Sequence, residues 1–229
     1  MASDNQDRRD EVLQMVNRKR GYTLPYHELF AGMNPELLMR YDSFYDALTL
    51  QQNTLSDREK ELVWIAILAI ADEEAGSIHL KRAEKAGVAL DETVESLTIA
   101  QMVRGQTIWT FVAQYWQEDL PQLNVWQAYD CAVGTLFSSG PIDPELVELI
   151  FIGAATAAAN KQLLEHHFLR AEKLGIDERK IAEAMSFIFI PRGGNQLLDM
   201  AQVIKNTVQS KKVEPTSVFK VWERNSVES

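Results

Sequence analysis

One cysteine, Cys131, stands alone in 229 residues. An intrachain disulfide is therefore excluded, and a single free thiol suits a reducing cytoplasm, the compartment expected for this chain. Long apolar runs are also missing. The longest cover residues 62–71 and 149–159, well short of the roughly 20 residues that span a bilayer. Basic charge is scarce: 23 Lys and Arg face 33 Asp and Glu, a net charge of −10. Binding to nucleic acid, or to an anionic membrane surface, needs a clustered basic footprint, so both are excluded as expectations. The opening MASDNQDRRDE has no apolar core and does not read as a secretory signal. There is no P-loop, no dinucleotide-binding glycine fingerprint and no G-x-S-x-G, so no cofactor is expected. Strand-like alternation bounded by turn residues is absent too, which leaves helices.

What the chain does have is a phrase written twice. Residues 79–87 read HLKRAEKAG and residues 167–175 read HFLRAEKLG, 88 positions on. The same offset joins Glu95 to Glu183, Arg104-Gly105 to Arg192-Gly193, and Tyr41-Asp42 to Tyr129-Asp130. ELVWI at 61–65 matches ELIFI at 148–152 with one residue of slippage. Two copies of a unit this long are too few for a solenoid array. The expected architecture is all-α, two tandem helical repeats packed as one pseudo-symmetric body. Its parts are an N-terminal helical arm (1–34), a first repeat (35–120), a second (121–210) and a tail (211–229).

Local signals punctuate the helices. Gly21 ends a charged helix over 8–20. Leu24, before Pro25, should be extended. Asn34-Pro35 and Asp143-Pro144 each combine an N-cap with proline at the first helical position. Ser56 and Glu59 fit a capping box. Each repeat then reads as a helix (35–50; 123–137), a strongly apolar helix (57–71; 144–159), a histidine helix (75–86; 161–174) closed by Gly87 or Gly175, a further helix (91–104; 177–190) and a last one (106–117; 195–210). A helix apolar on all faces is buried on all faces. The second helix of each repeat is thus a central rod or a seam. The tail carries Val218, Phe219, Val221 and Trp222, and either docks on a neighbouring surface or stays free.

The order of features resembles the carboxymuconolactone decarboxylase / AhpD-like superfamily. That order is an acidic position in an apolar helix (REKELVWIAILA), an acidic turn (DEE), IHLKRAEKAGV, then DETVESL. The resemblance covers roughly 35–110 and 123–205, and its most specific part is H-x-x-x-A-x-x-x-G. It implies an all-helical, self-associating protein with a site near the histidine. The peroxidase branch of that superfamily uses C-x-x-C-x-x-x-H. Here the two cysteine positions hold Asp72 and Ala75 before His79, and Asn160 and Leu163 before His167. A dithiol mechanism needs a nucleophilic and a resolving thiol, so it is excluded. The decarboxylase branch needs no thiol pair.

Lactone decarboxylation calls for a group that holds carboxylates and an acid that protonates the carbanion or enolate left by CO2. The candidate acid–base groups are His79 with Glu61, Glu73 or Glu74, and His167 with Glu148, His166 or Glu165. Arg82, Arg104, Arg170 and Arg192 are the candidate carboxylate holders. The acidic residue that the resemblance implies four positions before each histidine is absent. The first copy keeps Asp72-Glu73-Glu74 upstream and the second has Asn160-Lys161-Gln162, so His79 with Glu61 and Glu74 is favoured. Structural readings stand beside these. Asp72, Glu73 and Glu74 suit the positive end of a helix dipole, Glu61 and Glu148 can pair with arginines, and His166 can face solvent. Adjacent His166 and His167 point about 100° apart on a helix, so no metal is expected. The resulting reading is a lyase of the carboxymuconolactone decarboxylase type acting on a small carboxylated or lactone substrate. It is expected as a homo-oligomer, a trimer of two-repeat chains. The alternatives are an inactive family member serving as a binding or scaffold protein, or a peroxidase-related protein without dithiol activity.

Overall fold

The computed structural model describes residues 2–223. The chain divides into two compact units, residues 1–51 and 52–229. Among the described residues every regular element is helical. None of those helices is long and apolar enough to cross a membrane.

The first unit is a three-helix cluster of α1 (Ala2–Arg20), α2 (Pro25–Met33) and α3 (Pro35–Tyr45), followed by a π turn, Asp46–Leu50. Gly21 takes φ 82°, the left-handed backbone that stops α1. Leu24 is extended ahead of Pro25, and Asn34 caps α3 by accepting from Glu36 N–H. Val12, Val16, Ala31 and Leu38 form the core. Beside it Arg20, its side chain fully buried, pairs with Asp42 at 2.6 Å. His27 Nε2 lies 3.3 Å from Arg20 Nη1, and Leu24 N–H donates to His27 Nδ1. Burial and the adjacent guanidinium push the His27 pKa down to about 4, so this imidazole is neutral at ordinary pH.

The second unit contains α4 (Asp57–Ala71), α5 (Ser77–Lys85), α6 (Leu90–Gly105), α7 (Thr107–Tyr115), α8 (Val125–Phe137), α9 (Pro144–Ala157), α10 (Lys161–Leu174), α11 (Glu178–Ser186) and α12 (Phe189–Gln209). α4 and α9 pack against each other at its centre. Between them they bury Leu62 to Leu68 and Leu146 to Ala157 without a break. Each fully buried large side chain there, such as Trp64 or Phe151, contributes about 2–3 kcal/mol of transfer free energy. Gly153 allows the close approach, since a Cβ at that point would come within 2.8 Å of Val63 Cγ1.

Two carboxylates tie distant loops to this centre. Glu183 on α11 accepts from the Thr54 and Leu55 amides just before α4, at 2.8 and 2.9 Å. Glu95 on α6 accepts from the Ile142 amide just before α9, at 3.0 Å.

Several helix boundaries differ from the sequence expectation: α1 begins at Ala2, not residue 8, and α11 ends at Ser186, not residue 190. The histidine helix of the first half begins at Ser77, after a 3-10 turn over Glu74–Gly76. The last helix begins at Phe189, not near residue 195, and bends at Gly193, whose φ is 79°. Pro191 falls in the first turn of α12, where its missing N–H costs nothing. The tail docks as far as it is described. Glu178 accepts from the backbone amides of Thr216, Ser217 and Phe219. Phe219 is buried edge-on to Phe168. Residues 224–229 lie outside the described residues.

Candidate active site

Glu61 and Trp64 are three residues apart on α4, hence on one face, and that face meets His79 near the start of α5. His79 Nδ1 lies 2.7 Å from Glu61 Oε2. His79 is 6% exposed and Glu61 4%. The Trp64 ring lies against the imidazole at 4.7 Å between centroids, with Phe187 stacked on Trp64. Burial pushes the His79 pKa down and Glu61 only partly offsets it; Arg82, one turn further along α5, adds to the depression. The imidazole is therefore neutral, and the hydrogen-bond network assigns its proton to Nδ1, donating to Glu61. No hydrogen bond reaches Nε2 from the described residues. Glu74 is exposed on the 3-10 turn and Glu73 caps that turn. Neither pairs with His79.

The second histidine is held differently. His167 Nδ1 donates to Glu148 Oε2 at 2.6 Å, and Tyr129 O–H donates to Nε2 at 2.8 Å. Phe151 stacks on the ring at 4.0 Å and 6°. His167 is 0% exposed. Arg170 Nε and Nη2 both donate to Glu148 Oε1 at 2.7 Å, and Arg170 Nη1 reaches Asp130 at 2.9 Å. Burial raises the Glu148 pKa, but His167 and Arg170 outweigh it, and the net shift is downward. Burial also drives the His167 pKa down. The result is a neutral imidazole with both nitrogens committed, beside a carboxylate saturated by an arginine. His166 stacks on Trp126 at 4.3 Å and bonds Asp130 at 2.7 Å instead of facing solvent freely. Glu165 bonds Lys212 and Thr207, away from His167.

The four arginines separate into two groups. Arg82 and Arg170 sit on the histidine helices. Arg104 and Arg192 meet instead at the carboxyl end of α4, where Nη2 of each donates to the one carbonyl of Ile70, at 3.0 and 3.1 Å. Arg104 also bonds Asp72, which takes left-handed φ 55° at the end of α4. The Asp72 carboxyl is held below its usual range by Arg104.

At the positions of the missing thiols, Asn160 caps α10 and Leu163 is fully buried. Cys131 is an exposed residue of α8. Sequence reasoning assigned no role to Tyr129, Asp130, Trp126 or Trp64. The repetition of Tyr41-Asp42 as Tyr129-Asp130 was the one available signal. Nothing local marks an aromatic residue as the neighbour of a particular histidine.

Residues 35–118 match the family model described as Carboxymuconolactone decarboxylase family. A crystal structure from Burkholderia xenovorans LB400, of a protein named as a gamma-carboxymuconolactone decarboxylase subunit, superposes with a TM-score of 0.63. It shares 13% sequence identity and covers 88% of this chain and 98% of its own. At that identity the likeness concerns the fold. No curated protein matches the sequence.

Proposed function

We propose that this protein is a member of the carboxymuconolactone decarboxylase / AhpD-like superfamily, which the match of residues 35–118 and the fold support, and that it is a lyase acting on a small carboxylated or lactone substrate through His79. The carrying observation is the asymmetry of the two histidines. His79 has an uncommitted Nε2 and a carboxylate on Nδ1, whereas both nitrogens of His167 are taken.

Loss of CO2 leaves its bonding electron pair on the substrate carbon as an enolate. Nε2 of the neutral His79 takes a proton from water, and the imidazolium so formed delivers it to that carbon. Glu61 holds the ring and stabilises the transient imidazolium. A depressed pKa makes that imidazolium a ready proton donor, so turnover falls as pH rises above it. No thiol takes part. The two His–Glu pairs support reading residues 35–120 and 121–210 as copies, the second retained as structure. We also propose a cytoplasmic homo-oligomer, a trimer of two-repeat chains. Large exposed apolar side chains, Leu90 at 80% and Ile108 at 66% among them, support self-association and equally support an inactive scaffold.

The test is turnover of 4-carboxymuconolactone and related lactone acids by wild type, His79→Gln and Cys131→Ser. His79→Gln should lose about 10²–10⁴-fold in kcat, and Cys131→Ser should lose nothing. Full activity in His79→Gln, on any substrate the wild type accepts, removes the catalytic reading and leaves the scaffold. A mass of one chain by light scattering at micromolar concentration removes the oligomer.

A further inference from the structure

The second unit holds a cleft of about 850 Å³ that neither His–Glu pair lines. It lies where α4, α6, α7, α9, α10 and α12 come together. Nine residues of α4 separate Glu61 from Ile70 at its edge, about 13 Å of helix rise. A small ligand held here does not reach His79.

The charge in this cleft is out of balance with the rest of the chain. The protein carries −10 overall, yet the cleft gathers Arg104, Arg192 and Lys161 against a single carboxylate, Asp72. Arg104 and Arg192 converge on the one carbonyl of Ile70. A carbonyl carries no net charge, so it cannot neutralise two guanidiniums held this close. Asp72 pairs with Arg104 and acts on Arg192 only at longer range, and no carboxylate among the described residues forms an ion pair with Arg192. Each arginine uses only Nη2 in these bonds. The Nε and Nη1 hydrogens are left over on both, as separate donors on opposite sides of each guanidinium.

The surrounding helix ends do not supply the missing anion. Gln196 donates to the Thr156 and Ala157 carbonyls, so the end of α9 is already satisfied. The first turn of α10, with Lys161 and Gln162, brings the positive end of a helix dipole to the wall. Ile70, Val103, Phe111 and Ala157 provide apolar lining.

We propose that this cleft is a binding site for a small dicarboxylate with an apolar body, held by Arg104 and Arg192 and separate from the histidine dyads. One carboxylate accepts from the free Nη1 of each guanidinium, and the body rests on the apolar wall. The site goes beyond the lyase reading and stands or falls without it.

The experiment is calorimetric titration of the full chain with phthalate, with benzoate as the monocarboxylate and with inorganic phosphate, at constant ionic strength. Saturable phthalate binding at one site per chain is expected, at least tenfold tighter than benzoate. Arg192→Met should weaken it tenfold or more, and Arg104→Lys, which keeps charge but loses the Nη1 donor, should weaken it less. His79→Gln should leave it unchanged, which separates this site from the dyad. Circular dichroism and melting temperature confirm that each variant is folded. If Arg192→Met is unfolded, the folded Arg192→Lys is read in its place. Absence of saturable phthalate binding in the millimolar range, binding indifferent to the arginine substitutions, or loss of binding in His79→Gln would each overturn the proposal. Equal affinity for inorganic phosphate would reduce the site to a general anion contact and overturn the dicarboxylate assignment.

Discussion

Replacing Glu148 by alanine should be far more damaging than replacing Glu61, although the two occupy matching places beside a histidine. Glu148 accepts three charge-assisted hydrogen bonds, one from His167 and two from Arg170. Removing one partner of a buried ion pair costs about 3–5 kcal/mol. The Arg170 side chain is 35% exposed and recovers some hydration, which favours the lower end. The stranded Nδ1–H of His167, at 0% exposure, adds about 1–3 kcal/mol. The sum is about 4–6 kcal/mol, a fall in Tm of roughly 8–24 °C for a unit of this size. Glu61 accepts one hydrogen bond among the described residues, from a histidine nearer the surface, so Glu61→Ala should cost about 2 kcal/mol. An internal scale comes from Glu148→Gln. There His167 can move its proton to Nε2, accept from the amide at Nδ1 and let Tyr129 turn acceptor, which limits the loss to about 2 kcal/mol. In the double variant Glu148→Ala/Arg170→Ala the unpaired cation is gone, so the loss should fall short of the sum of the singles. Denaturant titration and thermal melts read all of these. If Glu148→Ala costs no more than Glu61→Ala, the view of the second dyad as a structural network is wrong.

Three further outcomes follow from the packing. Burial, with Glu178 nearby, pushes Glu172 up to about 7. The fold therefore holds that proton more tightly than the unfolded chain, and this group's contribution is lost as pH rises from 4.5 through 7. Glu172→Gln should then gain about 1–2 kcal/mol near pH 8, after allowance for solvent screening, and nothing near pH 4.5. A gain independent of pH in urea titrations counts against it. Gly153→Val forces a side chain into Val63 and Ile67 and should destabilise by about 1–3 kcal/mol. Gly105→Ala meets nothing within 4 Å and should stabilise slightly, by about 0.5–1 kcal/mol; equal effects of the two would discredit the close α4–α9 approach. Phe219→Ala should cost about 3–5 kcal/mol and open the segment after residue 210 to proteolysis. An unchanged digestion pattern would mean that Glu178 alone holds the tail.

Much of the helical layout was legible because its causes are local. Asn34-Pro35, Ser56 with Glu59, Asp143-Pro144 and the left-handed Gly175 each act within about four residues, so spacing alone reveals them. The burial of α4 and α9 was equally open, since a helix without a polar face has nowhere else to go. The bend at Gly193 was not, because Pro191 fits a helix start as readily as it interrupts one. The pairing of groups far apart in sequence was hidden for a different reason. Glu61, Glu73 and Glu74 were all candidates for His79, with Glu61 and Glu74 favoured, until the packing of α5 on α4 selected Glu61. The commitment of His167 Nε2 to Tyr129, 38 residues away, and the meeting of Arg104 and Arg192 on the Ile70 carbonyl depend on how helices cross. The sequence by itself determined the helices, their ends and the apolar centre, because backbone capping and burial are local or compositional. Only the tertiary structure decided which histidine keeps a nitrogen open and where uncompensated charge collects, because both are set by distances between elements that no spacing rule encodes.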